Sequence, residues 1–309
     1  MPDLEEAREL VKQDNVTALA ILYNSVPDVL SQLIRTAFIP SKGHHFYVAD
    51  FSAVEARVIA WLSNEKWRQE AFAKNEDIYC ASASQMFSVP VVKHGINGEL
   101  RQKGKIAELA LGYGGSIGAL KAMGATKLGL TDDELPQLVQ MWRNASPHIV
   151  QFWWDVDKAA KECIRTHLPQ TTHEIKFIYQ SGRMFLRLRS GRYLCYPQPK
   201  IGINRFGSDS ITFMGINNVK KWDQIETYGA KLVENIVQAT SRDLLAEAMR
   251  RLEASGNPIV MHIHDEAVID APSNRSLDTM VQLMTKVPDW ATGLILNAAG
   301  FISDFYKKD

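Results

Sequence analysis

MHIHDEAVID, Met261 to Asp270, sets two apolar runs on either side of an acidic pair. Ile259 to Ile263 reads as one strand and Ala267 to Ile269 as another, so His264, Asp265 and Glu266 fall at a tight hairpin turn. Acids at a turn have two readings. Asp favours turns and is solvated there; alternatively, a rigid strand end holds a carboxylate ready for chemistry.

Working outward, His45 to Ala49 (HFYVA) is a second buried-strand run, and Asp50 stands at its end. A helix follows from near Ser52, with Val54, Val58, Ile59 and Leu62 on one face. Ser52-Ala53-Val54-Glu55 has capping-box spacing, which would occupy Glu55 with a backbone N–H. Short helices are expected as far as Ile39-Pro40, and mostly helix over residues 69–175. A long helix is expected from about Ile225 to Ala254, another at Leu277 to Thr285, and a strand at Leu294 to Asn297. Strands near positions 48, 180, 260 and 295 with helices between them imply an α+β fold whose sheet is assembled from distant segments.

A third stretch, RQKGKIAELALGYGG (Arg101 to Gly115), places Arg101, Lys105, Leu109 and Tyr113 at four-residue steps along one helical stripe. Like charges at i, i+4 repel unless an anion lies between them. A triphosphate under Arg101 and Lys105 would supply that anion, as would, more simply, pairing of Lys105 with Glu108 on a solvated face.

The chain has 309 residues, 46% of them hydrophobic and 23% charged, enough for a large core and more than one subdomain. Its 35 Lys and Arg balance 35 Asp and Glu, which counts against a protein that coats DNA through bulk positive charge. No apolar run approaches the roughly 20 residues of a membrane span. The acidic, amphipathic N-terminus is unlike a signal peptide, so a cytoplasmic location without membrane contact is expected. Cys80, Cys163 and Cys195 lack any CxxC spacing, which supports neither a disulfide framework nor a zinc site.

The neutral average hides one imbalance. Between Ile175 and Ser208 lie Lys176, Arg183, Arg187, Arg189, Arg192, Lys200 and Arg205 without an acid, interleaved with Phe177, Tyr179, Phe185, Tyr193, Tyr196 and Phe206. Such a stripe suits phosphates and bases; it equally suits the solvated face of a β-hairpin turning at Gln180-Ser181-Gly182 and Ser190-Gly191.

Taken in order, these stretches resemble family A DNA polymerases of the phage and prophage type. DFSAVEAR resembles the family's first polymerase motif, RQKGKIAELALGYG its second (R-x3-K-x7-Y-G), and HDE its third; VENIVQATSRDLL and LIRTAFIP also fit. The resemblance spans roughly Leu33 to Asp309. It implies a right-hand polymerase lacking a thumb, with an antiparallel palm sheet flanked by helices and a mostly helical fingers subdomain. The palm would comprise residues 1–68 and 206–309, and the fingers 69–175 with the motif helix at 100–114. A basic aromatic hairpin at 176–205 would join them. The 49 residues before Asp50 are too few for a helical thumb, so a thumb or exonuclease segment, or a partner chain, is expected elsewhere.

The resemblance further implies template-directed addition of dNTPs to a primer 3′-hydroxyl by a two-metal-ion mechanism. The alternative it leaves is an incomplete fragment that only binds nucleotide or DNA. Asp50, Asp265, Glu266 and the Phe51 carbonyl would surround two Mg²⁺, with Mn²⁺ as a substitute. Arg101 and Lys105 would hold the triphosphate, and Lys105 would give a proton to departing pyrophosphate. Glu55 would be the steric gate against ribose, with Tyr113 beside it. Gln238, His264 and Arg57 would meet primer-template DNA. Three positions depart from the family pattern: Leu109 where many relatives carry Phe or Tyr, Ala53 for a polar residue, and Tyr79 for a frequent His.

Overall fold

The computed structural model describes residues 3–204 and 207–307. Three short helices open it: α1 (Leu4–Lys12), α2 (Val16–Leu22) and α3 (Val26–Leu33). Each is started by a polar side chain, of Asp3, Asn15 and Ser25, that accepts from an otherwise orphaned backbone N–H of the first turn. Strand β1 (His44–Phe51) follows. Then come α4 (Val54–Ser63), α5 (Lys66–Ala73), α6 (Ile78–Phe87), α7 (Leu100–Leu111), α8 (Ile117–Ala122), α9 (Glu134–Ala145) and α10 (Pro147–Thr166). Strands β2 (Gln170–Thr172), β3 (Ile175–Gln180), β4 (Arg183–Arg187), β5 (Tyr193–Pro197), β6 (Lys200–Ile203), β7 (Asp209–Ile216) and β8 (Trp222–Thr227) lead to α11 (Gly229–Ala254). The chain continues with β9 (Ile259–Ile263), β10 (Glu266–Pro272), α12 (Leu277–Thr285) and β11 (Ala298–Ser303).

The chain divides into two compact units, the first formed by Met1–Ser52, Leu245–Lys286 and Asn297–Asp309. Its sheet has the order β11-β1-β10-β9, with antiparallel pairing throughout. Strand β1 is central, which is why Phe46 to Ala49 reads as an unbroken apolar run: both of its faces are covered. Tyr47 packs on one face with Ala267, Ile269, Leu252 and Met280, and Phe46 and Val48 on the other with Val268 and Tyr306. Helices α1 to α3 bury Ala7, Leu19, Val29 and Leu33 in a core of their own.

The second unit, Ala53–Leu244 with Val287–Leu296, holds α4 to α10 and two further antiparallel sheets, β2-β3-β4-β5 and β6-β7-β8. The strand expected near position 180 therefore does not join β1. Tight turns, with Ser181 and Gly182 at positive φ, give β3 a partner adjacent in sequence, and local pairing closes first. The expected basic hairpin is thus the middle of a four-stranded sheet; Arg205 and Phe206 lie outside the described residues. Two further boundaries move. Residues 222–227 form a strand, because Ile225 pairs with Phe213 across β7, and the long helix starts only at Gly229. The strand expected at Leu294 to Asn297 lies instead at Ala298–Ser303, paired with Phe46–Phe51 of β1. No helix among the described residues is long and apolar enough to cross a membrane.

Candidate active site

The carboxylate cluster is built from β1 and the β9–β10 hairpin. Glu266 pairs with Ile263 across that hairpin, leaving His264 and Asp265 as its two-residue turn, with His264 in the left-handed region at φ 54°. Asp50 is the register partner of Glu266, and the Phe51 N–H donates to the Asp265 carbonyl over 3.3 Å. Pairing on neighbouring strands thus brings the backbone of Asp265, far away in sequence, alongside that of Asp50 and Phe51. Glu266 is 3% exposed, and its carboxylate accepts the Tyr306 hydroxyl. Burial and the Glu266 charge push the Tyr306 phenol up, so it stays protonated as the donor.

In the second unit, α7 carries Arg101, Lys105 and Leu109 as expected, but ends at Leu111, so Tyr113 sits in the following turn rather than on the stripe. Its hydroxyl donates to Glu55 over 2.8 Å. Burial first, then the Glu55 carboxylate, raises the Tyr113 phenol far above its ordinary range. The capping box does not form: α4 begins after Ala53, at φ 52°, with no side-chain cap. Arg101 donates to Asp77 at 2.7 and 2.9 Å and lies 5.2 Å from the Tyr79 ring centroid; the Lys105 ammonium lies 6.0 Å from the same ring. Burial works to raise Asp77, yet Arg101 and the Cys80 and Tyr79 N–H groups hold it below the usual carboxylate range.

Lys105 has no pairing with Glu108, because Glu108 points inward. Its carboxylate accepts from Arg68 at 2.5 and 2.8 Å, Ser82 at 2.6 Å and Trp142 at 2.8 Å. Gly104, one residue before Lys105, lies where a Cβ would overlap the Tyr79 carbonyl, so α6 and α7 pack in close contact.

The sequence profile of DNA polymerase family A matches residues 25–292. The chain belongs to DNA polymerase family A. It is 52% identical over 310 residues to the DNA polymerase of Bacillus phage SP02, an alignment covering 99% of this chain and 48% of that protein. With the thermostable DNA polymerase I of Thermus aquaticus it shares 26% over 293 residues, covering 89% of this chain and 30% of that one. Its fold is also that of the POL domain of Pol1 from M. smegmatis, solved in complex with DNA primer-template and dNTP. The TM-score is 0.62 at 20% identity, covering 89% of this chain and 42% of that one. This family A chain thus spans about half, or less, of the length of these relatives.

The remaining expected positions divide in two. Gln238 on α11, His264 and Leu109 are exposed and free to meet a ligand. Arg57 is not: it is 6% exposed, donates to the Ile295 carbonyl at 3.2 Å and stacks on Phe72 at 4.4 Å, because α4 turns that side of the helix into the core. Sequence reasoning missed Asp77, Arg68 and Tyr306. Asp77 alone had a signal, an Asp before the apolar start of a helix, where it caps Tyr79 and Cys80.

Among the described residues no group of three or more His, Cys, Asp or Glu is placed to hold a metal ion. Mg²⁺ is held by one or two carboxylates together with substrate phosphates. Asp50 and Asp265 would offer two carboxylates of that kind.

Proposed function

We propose that this chain carries the nucleotidyl-transfer chemistry of a DNA-directed DNA polymerase, extending a primer 3′-hydroxyl with dNTPs against a template. The observation that carries the reading is the juxtaposition of Asp50 and Asp265 through the Phe51–Asp265 hydrogen bond. Family membership and the likeness to polymerases with primer-template and dNTP support it.

In this reading Asp50, Asp265 and the Phe51 carbonyl would hold two Mg²⁺, for which Mn²⁺ would substitute. Bound there, such ions would supply Lewis acidity to the primer hydroxyl and positive charge opposite the leaving group. Glu266, held by Tyr306, adds negative field without direct ligation. The 3′-hydroxyl gives up its proton to solvent as its oxygen forms a bond to the α-phosphorus and the α–β bridging P–O bond breaks. Arg101 and Lys105 neutralise the triphosphate, and the Lys105 ammonium gives a proton to departing pyrophosphate. Electrostatics supplies most of the acceleration, since phosphoryl transfer leaves little covalent work to the protein. Glu55, fixed by Tyr113, is the steric gate against a 2′-hydroxyl. Gln238 and His264 contact primer-template. Residues 1–68 and 206–309 are the palm and 69–175 the fingers, and the complete polymerase includes a thumb or exonuclease segment or a partner chain.

Primer extension with Mg²⁺ and dNTPs tests the reading, with Asp265→Asn alongside. Templated elongation that the substitution abolishes is the expected result; nucleotide binding without turnover in the unsubstituted chain overturns it.

A further inference from the structure

The proposed chemistry leaves the basic, aromatic stretch after α10 without a role. In the β2-β3-β4-β5 sheet the register pairs set Thr171, Lys176, Arg187 and Tyr193 in one transverse row, and Gln180 and Arg183 in another. Paired residues share a face, and so do residues two apart along a strand. Lys176, Arg183, Arg187, Phe185 and Tyr193 therefore all lie on one side. The opposite side buries Ile175, Phe177, Met184, Leu186 and Tyr196. The three cations and Tyr193 are exposed, Phe185 is half-buried, and Phe185 and Tyr193 meet edge to face at 6.3 Å.

Lys176 and Arg187 are directly opposed like charges, an arrangement that destabilises a sheet unless an anion relieves it. Among the described residues no acid pairs with either, nor with Arg183. The end of the face bearing Lys176 and Arg187 opens into a cleft of about 580 Å³ whose lining includes Trp290, with Glu174 and Asp289 as acceptors. Arg189, also in the cleft, pairs with Glu174 at 3.3 Å.

We infer that this sheet face binds single-stranded DNA. Its cations track successive phosphates, its rings stack unpaired bases, and the cleft beside Trp290 takes a further base whose ring N–H or amino group can donate to the two acids. A single strand fits better than a duplex because exposed rings stack only on bases that are not already paired. The reading of this chain as a polymerase supplies the identity of the strand, the unpaired template; the surface itself stands on the sheet geometry.

The test is fluorescence anisotropy of a labelled dT20 strand with the full chain over a range of salt. Lys176→Ala/Arg183→Ala/Arg187→Ala is expected to flatten the slope of log affinity against log salt by about 2, since each phosphate that is no longer neutralised lowers it by about 0.7. Tyr193→Ala is expected to weaken binding about fivefold or more, as loss of one base stack would. All four side chains are exposed, so a melting temperature no lower than that of the unsubstituted chain accompanies both effects; should the triple variant fail to fold, the Tyr193 variant decides alone. Unchanged slope and affinity in the variants, or a duplex competing as well as dT20, overturns the inference. Failure of primer extension with these dT20 effects intact would instead count against the polymerase reading alone.

Discussion

Tyr113, in the turn after α7, donates its hydroxyl to the carboxylate of Glu55 in the first turn of α4 over 2.8 Å. The bond fixes the rotamer of an acid that local sequence pattern would have assigned to a helix cap. As the proposed gate, Glu55→Ala should admit ribonucleotides. The ratio of kcat/KM for dNTP over NTP is expected to fall about tenfold or more, measured in single-nucleotide incorporation. Tyr113→Phe should give a smaller fall, since the gate remains but is no longer held. The raised phenol of Tyr113 sets a further sign. Its contribution to stability is full below the ordinary value of 10.0 and declines as pH climbs above it towards the folded value.

Gly104 gives a test whose sign separates packing from propensity. Alanine in a helix interior is worth about 1 kcal/mol over glycine. Here the added Cβ would overlap the Tyr79 carbonyl, a backbone atom that cannot swing away. Gly104→Ala is therefore expected to destabilise by about 1–3 kcal/mol in urea unfolding, and to raise the KM for dNTP by displacing Arg101 and Lys105.

Arg68 and Glu108 form a buried pair, with side chains 1% and 9% exposed. Removing one partner strands the other charge, so Glu108→Ala should cost about 3–5 kcal/mol by chemical denaturation. Replacing both with apolar residues of similar volume should cost far less. Burial works to raise Glu108, but Arg68, Ser82 and Trp142 outweigh it and leave the carboxyl lowered. Its contribution is full above the ordinary value of 4.5 and is lost as pH falls through the lowered one, so the pair should weaken selectively in acid.

What the sequence reveals follows from what periodicity can encode. The strand-turn-strand at Asp265, the buried strand ending at Asp50 and the helix at Leu277–Thr285 are all legible, since each rests on neighbours along the chain. Side-chain partners distant in sequence are not. Nothing in S-x-x-E betrays that Tyr113 rather than a backbone N–H meets Glu55, and nothing in the α7 stripe betrays that Glu108 turns inward to Arg68. Tyr306 reaches Glu266 only because β11 completes the sheet beside β1. Motif order, however, links Asp50 to Asp265 without any knowledge of strand register.

The proposed pairing of Asp50 and Asp265 on shared metal ions has one direct measurement: electron paramagnetic resonance of Mn²⁺ titrated into the chain with dNTP and a dideoxy-terminated primer-template. Two bound Mn²⁺ in the unsubstituted chain, with binding lost in Asp50→Asn and in Asp265→Asn alike, is the expected result. Equal Mn²⁺ occupancy in all three proteins would contradict it.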